Sequence, residues 1–284
     1  MSGRQLPAHI AAALAGNTAD SAGQPWAGRD LSGPENPLHA FDDDDGAADA
    51  GLAAALSGLL RPADGPGDAE RAVFGALTTA RVFIPIVARL SDQAEAATGL
   101  HADKEAEMAL VTLTAPDGRK ALPVFSSTGA LGRWHPDARP VAAYASRAAL
   151  AAAAEDAQLM VLDPGADLTF VLRRPAVWAL ARQVPWTPSY EDPALASLVE
   201  EAAGQEEDIL AVGLRPAGGV LTRTTGGSIA SGGGPGPELR MDVQLRPGLS
   251  ADGVRDAVAS FRGKLLGLTG FVDRVDSLDI KLTR

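Results

Sequence analysis

Two adjacent hydroxyl groups and one imidazole come nearest to a catalytic set in this chain. Ser126 or Ser127 could act as a nucleophile with His135 as its base, but their spacing in the sequence fixes no geometry. The chain has no G-x-S-x-G or H-E-x-x-H motif and no G-x-G-x-x-G that opens a helix. It also lacks cysteine, which excludes disulfides, thiolate metal sites and cysteine nucleophiles. We therefore expect no catalytic residue, and a serine hydrolase is the less favoured alternative.

Two acidic patterns are typical of metal sites, but both are incomplete. Asp42–Asp45 resemble part of a calcium loop, yet Ala53 occupies the twelfth position, where an EF-hand needs Glu. A second run alternates polar residues in a way that favours a solvated loop or strand edge. It consists of His101, Asp103, Glu105 and Glu107. We therefore expect no metal ion and no cofactor.

The glycine-rich segment 226–236, GGSIASGGGPG, could suggest a phosphate loop. It lacks the Lys and Ser/Thr that complete such a loop, and it leads into a strand instead of a helix. The pattern favours a flexible hairpin tip.

The stretch from Ala121 to Trp134 is the strongest candidate for a binding site. Its apolar run ends at Phe125, and the hydroxyls of Ser126 and Ser127 follow, which predicts a strand that leads into a capped helix. Strand-to-helix corners of this kind often hold ligands or partners. The alternative is that Phe125 and Trp134 are simply core residues.

A second candidate lies in the N-terminal segment, where the chain is otherwise polar and rich in turn residues. Trp26 and Arg29 stand close together there. An otherwise polar segment rarely exposes a Trp. The pair either packs against the chain's own folded body or serves as an anchor for a protein partner.

Charge and hydropathy narrow the class of partner. The formal net charge is −11, of which −8 falls in residues 1–70. No basic face of the kind that a phosphate backbone requires follows from this balance, so we expect no nucleic-acid binding. The N-terminal apolar windows are far shorter than the ~20 residues of a membrane span, and the residues that flank them do not predict a secretory signal. We expect a cytoplasmic protein that does not bind membranes.

The order of predicted elements indicates an α+β (mixed α/β) fold with two small domains, each a β-sheet packed with helices. The predicted divisions are an acidic, largely irregular tail (1–70), an α/β domain (71–185), a linker and helix (186–204) and a C-terminal β-β-α-β domain (205–284). Within the first domain, Pro85 interrupts a strongly β run and predicts an edge strand or a bulge. The clearest strand is 238–246, where apolar and polar residues alternate strictly.

Residues of the 71–185 segment resemble the N-terminal domain of the SseB family, whose pattern reads P-V, then L-P-x-F-[ST]-S, then N-P-G. The matching positions are Pro85, Leu122, Pro123, Phe125, Ser126, Ser127, Pro164 and Gly165. Ser126 stands where Thr is usual and Asp163 where Asn is usual, and both keep an oxygen that can bond a backbone amide. The short motifs WAGR and DDG and the Ala/Gly/Arg-rich composition resemble those of actinobacterial members of the family.

The resemblance implies no catalytic residue, cofactor or substrate, because the family has none established. We therefore expect a non-enzymatic protein-protein interaction or regulatory module, which binds a protein partner or associates with itself. The binding residues of this hypothesis are Trp26, Arg29, Phe125, Ser126, Ser127, Trp134 and Asp163. A small-molecule sensor linked to serine metabolism, as the family's name for enhanced serine sensitivity suggests, is the alternative.

Overall fold

The computed structural model describes residues 41–60, 65–90, 106–224 and 226–283. The backbone divides into two compact units, residues 1–45 and residues 46–284. In the described part of the first unit, the amide of Asp44 donates to the carbonyl of Phe41 at 3.1 Å, which closes a turn. Trp26, Arg29 and the first three residues of the His101–Glu107 run lie outside the described residues.

The described part of the chain contains eight α-helices and twelve β-strands. The helices are α1 (Ala50–Gly58), α2 (Pro66–Leu77), α3 (Thr128–Trp134), α4 (Ala145–Ala154), α5 (Arg174–Arg182), α6 (Pro193–Ala203), α7 (Ala251–Gly267) and α8 (Thr269–Arg274). The strands are β1 (Arg81–Leu90), β2 (Ala106–Leu110), β3 (Leu113–Thr114), β4 (Lys120–Val124), β5 (Arg139–Tyr144), β6 (Leu159–Leu162), β7 (Phe170–Leu172), β8 (Ile209–Pro216), β9 (Leu221–Arg223), β10 (Ile229–Ser231), β11 (Leu239–Leu245) and β12 (Leu278–Thr283). The predicted α+β class is confirmed.

The strands of the first half form two sheets that meet at a pair of phenylalanines. One sheet has the antiparallel order β2-β1-β5, and the other has the order β3-β4-β6-β7, in which β4 and β6 run parallel. Phe83 on β1 and Phe125 after β4 exchange two backbone hydrogen bonds of 2.8 and 2.9 Å. The mostly apolar residues 108–114 are divided between the two sheets, because β2 pairs with β1 and β3 pairs with β4.

The prediction that Pro85 marks an edge strand or a bulge was wrong. The strand that contains it, β1, lies between β2 and β5 with regular registers. Pro85 lies opposite Pro140 of β5, and the register with β2 begins only at the next residue, Ile86. The missing N–H of Pro85 therefore falls at the end of the β2 ladder, where it interrupts no regular pairing.

One large core lies between the sheets and the helices of this half. Leu122 and Val124 of β4 and Met160 and Leu162 of β6 point into it, together with α4 and α5. Helix α1 belongs to the same core, since its Leu52 and Leu56 are buried there. The apolar face of α1 thus packs as part of the fold, although the sequence placed these residues in an acidic tail; the other domain divisions stay a prediction.

The second half is a three-stranded sheet, β12-β11-β8, with helices against one face. The predicted alternation of 238–246 is observed, because Leu239, Met241 and Val243 are fully buried and face Phe261 and Leu265 of α7. The strand β12 returns parallel to β11 after α7 and α8. The structure adds a short hairpin, β9–β10, and the helix α8 to the predicted β-β-α-β order.

Candidate functional site

The predicted corner exists and is built by hydrogen bonds within the protein. Ser127 is the N-cap of α3, and its hydroxyl accepts from the amide of Ala130 at 3.1 Å. The amide of Thr128 donates to the carbonyl of Gly46 at 2.9 Å, which ties the start of α3 to the segment before α1. The carbonyl of Ser126 accepts from Arg81 at 3.0 Å. Both serines therefore have structural partners at the corner.

Asp163 closes the corner from the end of β6. The backbone of Asp163 is left-handed (φ 50°) and the residue is buried. Its Oδ1 accepts a hydrogen bond from the amide of Ser126 at 2.8 Å. In return, the amide of Asp163 donates to the carbonyl of Val124 at 2.9 Å. Burial raises the pKa of Asp163, against hydrogen bonds from the hydroxyl and amide of Ser126 and the charge of Arg133. Asp163 thus links the C-terminal ends of the parallel strands β4 and β6.

The aromatic residues of the corner form a small separate core. The rings of Phe125 and Trp134 are 5.2 Å apart at 43°, and Phe125 is completely buried while Trp134 is half-buried. The guanidinium of Arg81 stacks over Phe83 at 4.2 Å from the ring centre. Of the predicted binding residues, the structure thus brings together Phe125, Ser126, Ser127, Trp134 and Asp163. The ring of Phe125 contacts that of Trp134, the side chain of Asp163 accepts from the amide of Ser126, and the hydroxyl of Ser127 accepts from the amide of Ala130.

Among the described residues, the hydrogen bonds of Ser126 and Ser127 go to groups other than His135. Ser126 is buried against Asp163, and Ser127 caps a helix. The ring of His135 lies beside Trp134, at 5.8 Å between ring centres, and its Nδ1 is buried without a hydrogen-bond partner among the described residues. These contacts hold the backbone of the corner in place.

A second cluster of polar and charged side chains, which the sequence did not predict, lies where the C-terminal part meets β7 and α5. The guanidinium of Arg173 donates to the carbonyls of Gly219, Gly234 and Gly236 at 2.9 to 3.1 Å. Two carbonyls of the glycine-rich segment 226–236 therefore bind the guanidinium of Arg173. The prediction that this segment is a flexible hairpin tip was wrong for its second half. The composition was the available signal, because only glycine allows several carbonyls to approach one guanidinium so closely.

The same arginine takes part in a buried ion cluster. Asp276 has a fully buried side chain and pairs with Arg119 at 2.6 Å and with Arg173 at 3.4 Å. Ser277 follows, and its hydroxyl donates to the Asp276 carboxylate at 3.2 Å. This cluster, which we call the arginine joint (Arg119, Arg173, Asp276 and Ser277), connects the first half of the chain to β12 and its preceding turn.

Two buried glutamates lie behind the arginine joint. Burial, with the neighbouring Glu238 carboxylate, raises the pKa of Glu70 to about 8, while Arg173 opposes the shift. Burial also raises the pKa of Glu238 to about 7, and its Oε1 accepts from the amide of Asp276 at 2.7 Å. Tyr190 packs beside them, and its burial and the charge of Glu70 raise its pKa. Perturbed carboxyls of this kind are common at functional sites, but they also occur in structural ion networks.

A cavity of about 260 Å³ lies over the outer face of the β3-β4-β6-β7 sheet. Its floor is apolar and consists of Leu113, Ala121, Leu159, Val161 and Val171. Its polar rim includes Asp117, Arg119, Thr169 and Arg173, and the glycines at 233 and 234 form one wall. The volume suits a small molecule that has an apolar part and one polar end.

An apolar groove of about 520 Å³ lies between α7 and β12, and we call it the α7–β12 groove. Val254, Val258 and Leu266 line it from the helix, and Leu282 lines it from the strand. Leu266 is 57% exposed and Leu282 is 45% exposed. Arg255 and Arg262 border the groove. Exposed apolar residues that are contiguous and rimmed by charges are typical of interaction surfaces.

Neither a metal-ligand cluster nor a membrane-spanning helix occurs in the described ranges. No group of three or more His, Asp or Glu side chains in these ranges is arranged to hold a metal ion. Among the helices of the same ranges, none is both long and apolar enough to cross a bilayer.

Comparison with known proteins gave one match. Curated proteins and solved structures yielded no match. Residues 52–179 match the family model described as the SseB protein N-terminal domain. The matched range begins at the second residue after the start of α1 and ends within α5, so it contains the corner, both sheets of the first half and Arg173. Residues 52–179 of the chain therefore form an SseB protein N-terminal domain.

Proposed function

We propose that this SseB family protein is a non-enzymatic interaction module whose partner docks on the α7–β12 groove. The observation that supports this most directly is the exposure of Leu266 and Leu282 on adjoining elements, next to a sheet edge. The family match leaves this surface outside the matched range, because the match ends at residue 179. The groove is thus a feature of this chain's C-terminal part, and the SseB domain supplies the body to which it is attached.

The corner supports the proposal less than the sequence suggested. Phe125 and Trp134 pack against each other, and Asp163 is used to hold Ser126. Binding at this corner would require the side chains to exchange internal contacts for those of a partner. A docking role for Trp26 and Arg29 stays a prediction, as does a cytoplasmic location.

Photo-crosslinking from the groove tests the proposal. Arg262 is exposed at the border of the groove, so a benzoylphenylalanine introduced there should form adducts with a docked protein in cells. A second substitution, Leu266→Glu, should abolish these adducts because a carboxylate would be buried without a partner. The control is the same photoreactive residue at Leu150, which is 47% exposed on α4. Adducts equal to those of the control would refute the proposal.

A second candidate function is small-molecule regulation, which the cavity over the sheet favours. Its floor is apolar, so amino acids with branched or aromatic side chains should fit better than serine. Thermal shifts across an amino-acid panel measure this directly. Val161→Trp, which fills the cavity, should abolish any shift. A panel without a stabilising member, or a shift that Val161→Trp leaves unchanged, would count against the candidate.

The non-enzymatic part of the proposal has its own test. The Ser127 hydroxyl is engaged as a helix cap and Ser126 is buried, so neither serine should react with a fluorophosphonate probe. Labelling that disappears in Ser126→Ala or Ser127→Ala would show that a serine is activated, and the module would then have to be considered a hydrolase.

A further inference from the structure

The strand β12 has an open edge. It pairs with β11 on one side, and over the ranges that the structure describes no strand pairs with its other side. Its sequence, LDIKLT, contains neither Pro nor Gly. The opposite edge strand, β8, carries Gly213 and Pro216, and its register with β11 shifts at Leu245. Since such features hinder edge pairing, β12 is the edge of this sheet that is able to accept another strand.

The solvent face of β11 and β12 has a pattern of alternating charge. Arg240 lies opposite Asp279, and Asp242 lies opposite Lys281. Opposite charges therefore face each other across the two strands at both paired positions, and each such pair forms part of a row of side chains that crosses the sheet. Pairs of this kind stabilise a sheet, whereas like charges placed opposite each other destabilise it.

This pattern is self-complementary in one register. A two-fold axis that relates two copies of an edge strand makes them antiparallel. Pairing centred on Ile280 places Asp279 opposite the partner's Lys281. Across the four central strands, each row of side chains then reads Arg240, Asp279, the partner's Lys281, the partner's Asp242, with alternating sign.

Neighbouring registers are worse. Centring on Asp279 or on Lys281 places two like charges directly opposite each other. A shift by one residue places the apolar series Leu278, Ile280 and Leu282 opposite polar residues of the partner. The register centred on Ile280 is thus the one that satisfies both faces of the strand.

We propose that the occupant of the α7–β12 groove is a second copy of this chain, joined through antiparallel pairing of β12 centred on Ile280. The two three-stranded sheets become one continuous sheet of six strands. The two α7 helices then lie side by side on one face of it, which covers Leu266 and Leu282. Arg255, whose side chain is 74% exposed, keeps its guanidinium in water on a flexible stem. The inference rests on the proposed function, since it names the partner of the same surface.

Charge variants test the register by sedimentation velocity. The wild type should sediment as a dimer. Asp279→Lys alone and Lys281→Asp alone should both be monomeric at the same concentration, because each places like charges opposite each other. An equimolar mixture of the two variants should recover the dimer, since the lysine introduced in one copy then faces the aspartate introduced in the other, and the two unchanged residues also form an opposite-charge pair. Asp137→Lys, which changes the charge equally in an exposed loop, is the matched control and should remain a dimer.

Engineered cysteines give a second, independent reading, because the chain contains no cysteine. Ile280→Cys should form a disulfide between copies under mild oxidation, since residue 280 faces itself across the axis. Leu278→Cys alone should not, but should cross-link in a mixture with Leu282→Cys.

The outcomes separate this inference from the proposed function. A wild type that is monomeric at every concentration, a dimer that both charge variants retain, or a mixture that stays monomeric would overturn the inference. So would disulfides that form equally from Leu278→Cys and Ile280→Cys. If photo-crosslinks from Arg262 nevertheless reach a different protein, the interaction module stands and only its partner was misassigned.

Discussion

Asp163 shows at the scale of one residue why the corner keeps its shape. The position needs a left-handed backbone, which most side chains disfavour, and it needs an oxygen that can accept from the buried amide of Ser126. Asp and Asn are the residues that meet both requirements. The family's usual Asn at this position, which the resemblance suggested, has the same physical explanation.

We predict that Asp163→Ala lowers the free energy of unfolding by about 2 to 3 kcal/mol, because it leaves a buried amide unpaired and places Ala in the left-handed region. Asp163→Asn keeps the accepting oxygen and should be close to neutral. Asp156→Ala is the control for the backbone alone, since Asp156 also has a positive φ (56°) but is exposed. Urea denaturation measures all three. If the Asn variant is as unstable as the Ala variant, the oxygen is not the important group.

The sequence placed Phe125, Ser126, Ser127 and Trp134 in one strand-to-helix corner, because strand and cap signals are local, whereas Asp163 was named only through the family resemblance. The sequence could not show that they would contact one another instead of solvent. Whether a side chain such as Phe125 faces a pocket or a core depends on Phe83 and Trp134, which approach only in the folded chain. Arg173 was missed for the same reason, since its three carbonyl partners lie some 46 to 63 residues further along the chain.

At the scale of elements, the glycines that follow β10 are the clearest case in which a glycine-rich composition wrongly predicted a flexible loop. These glycines are needed because neighbouring atoms approach the backbone too closely for a side chain. A Cβ on Gly234 would overlap the carbonyl of Leu221, and one on Gly232 would overlap the ring of Phe170. Gly226, in the preceding turn, has open space around its Cβ position by comparison, with only Thr224 at 3.8 Å.

We therefore predict that Gly234→Ala destabilises the protein by about 1 to 3 kcal/mol, the usual cost of forcing a methyl into packed atoms. The loss arises because the segment must move away from Arg173. Gly226→Ala is the matched control and should change stability by less than about 0.5 kcal/mol. Thermal unfolding of both variants provides the measurement. Equal effects of the two substitutions would mean that the segment is as mobile as its composition suggested.

Element prediction succeeded where one short stretch carries the whole signal. Asp192 and Ser250 are residue types that favour helix N-caps, and they cap α6 and α7, each with its side chain accepting from a backbone amide. Helix α4 instead begins at Ala145 without a side-chain cap. The partners of β1 and β2 were not predictable, because pairing between strands depends on contacts distant in sequence.

At the scale of the molecule, the arginine joint makes the SseB domain and the C-terminal part depend on each other. Asp276 is fully buried and lies between Arg119 and Arg173, both outside its own half of the chain. Ion pairs of this kind are costly to break, because the remaining charge stays buried. Glu70 and Glu238, which come from different halves of the chain, lie behind the joint, and their burial raises both pKa values, so they add a dependence of stability on pH.

The direction of that dependence follows from the raised pKa values. The unfolded chain loses the proton of Glu70 near its ordinary pKa of 4.5, whereas the folded chain keeps it up to about 8. The folded state therefore binds more protons between these values, so its stability is greatest at the acidic end and declines as the pH rises. For a single group the slope is about 1.4 kcal/mol per pH unit.

We predict that Glu70→Gln removes much of this slope. Between about pH 5.5 and 8 the wild type should lose stability as the pH rises, and the variant should lose about 1 kcal/mol less per pH unit because Gln resembles the protonated acid. Denaturant unfolding at several pH values measures the difference. Glu155→Gln, an exposed change of the same charge, should follow the wild type. A Glu70→Gln slope equal to that of the wild type would mean that Glu70 is already ionised in the folded protein, with Arg173 outweighing its burial.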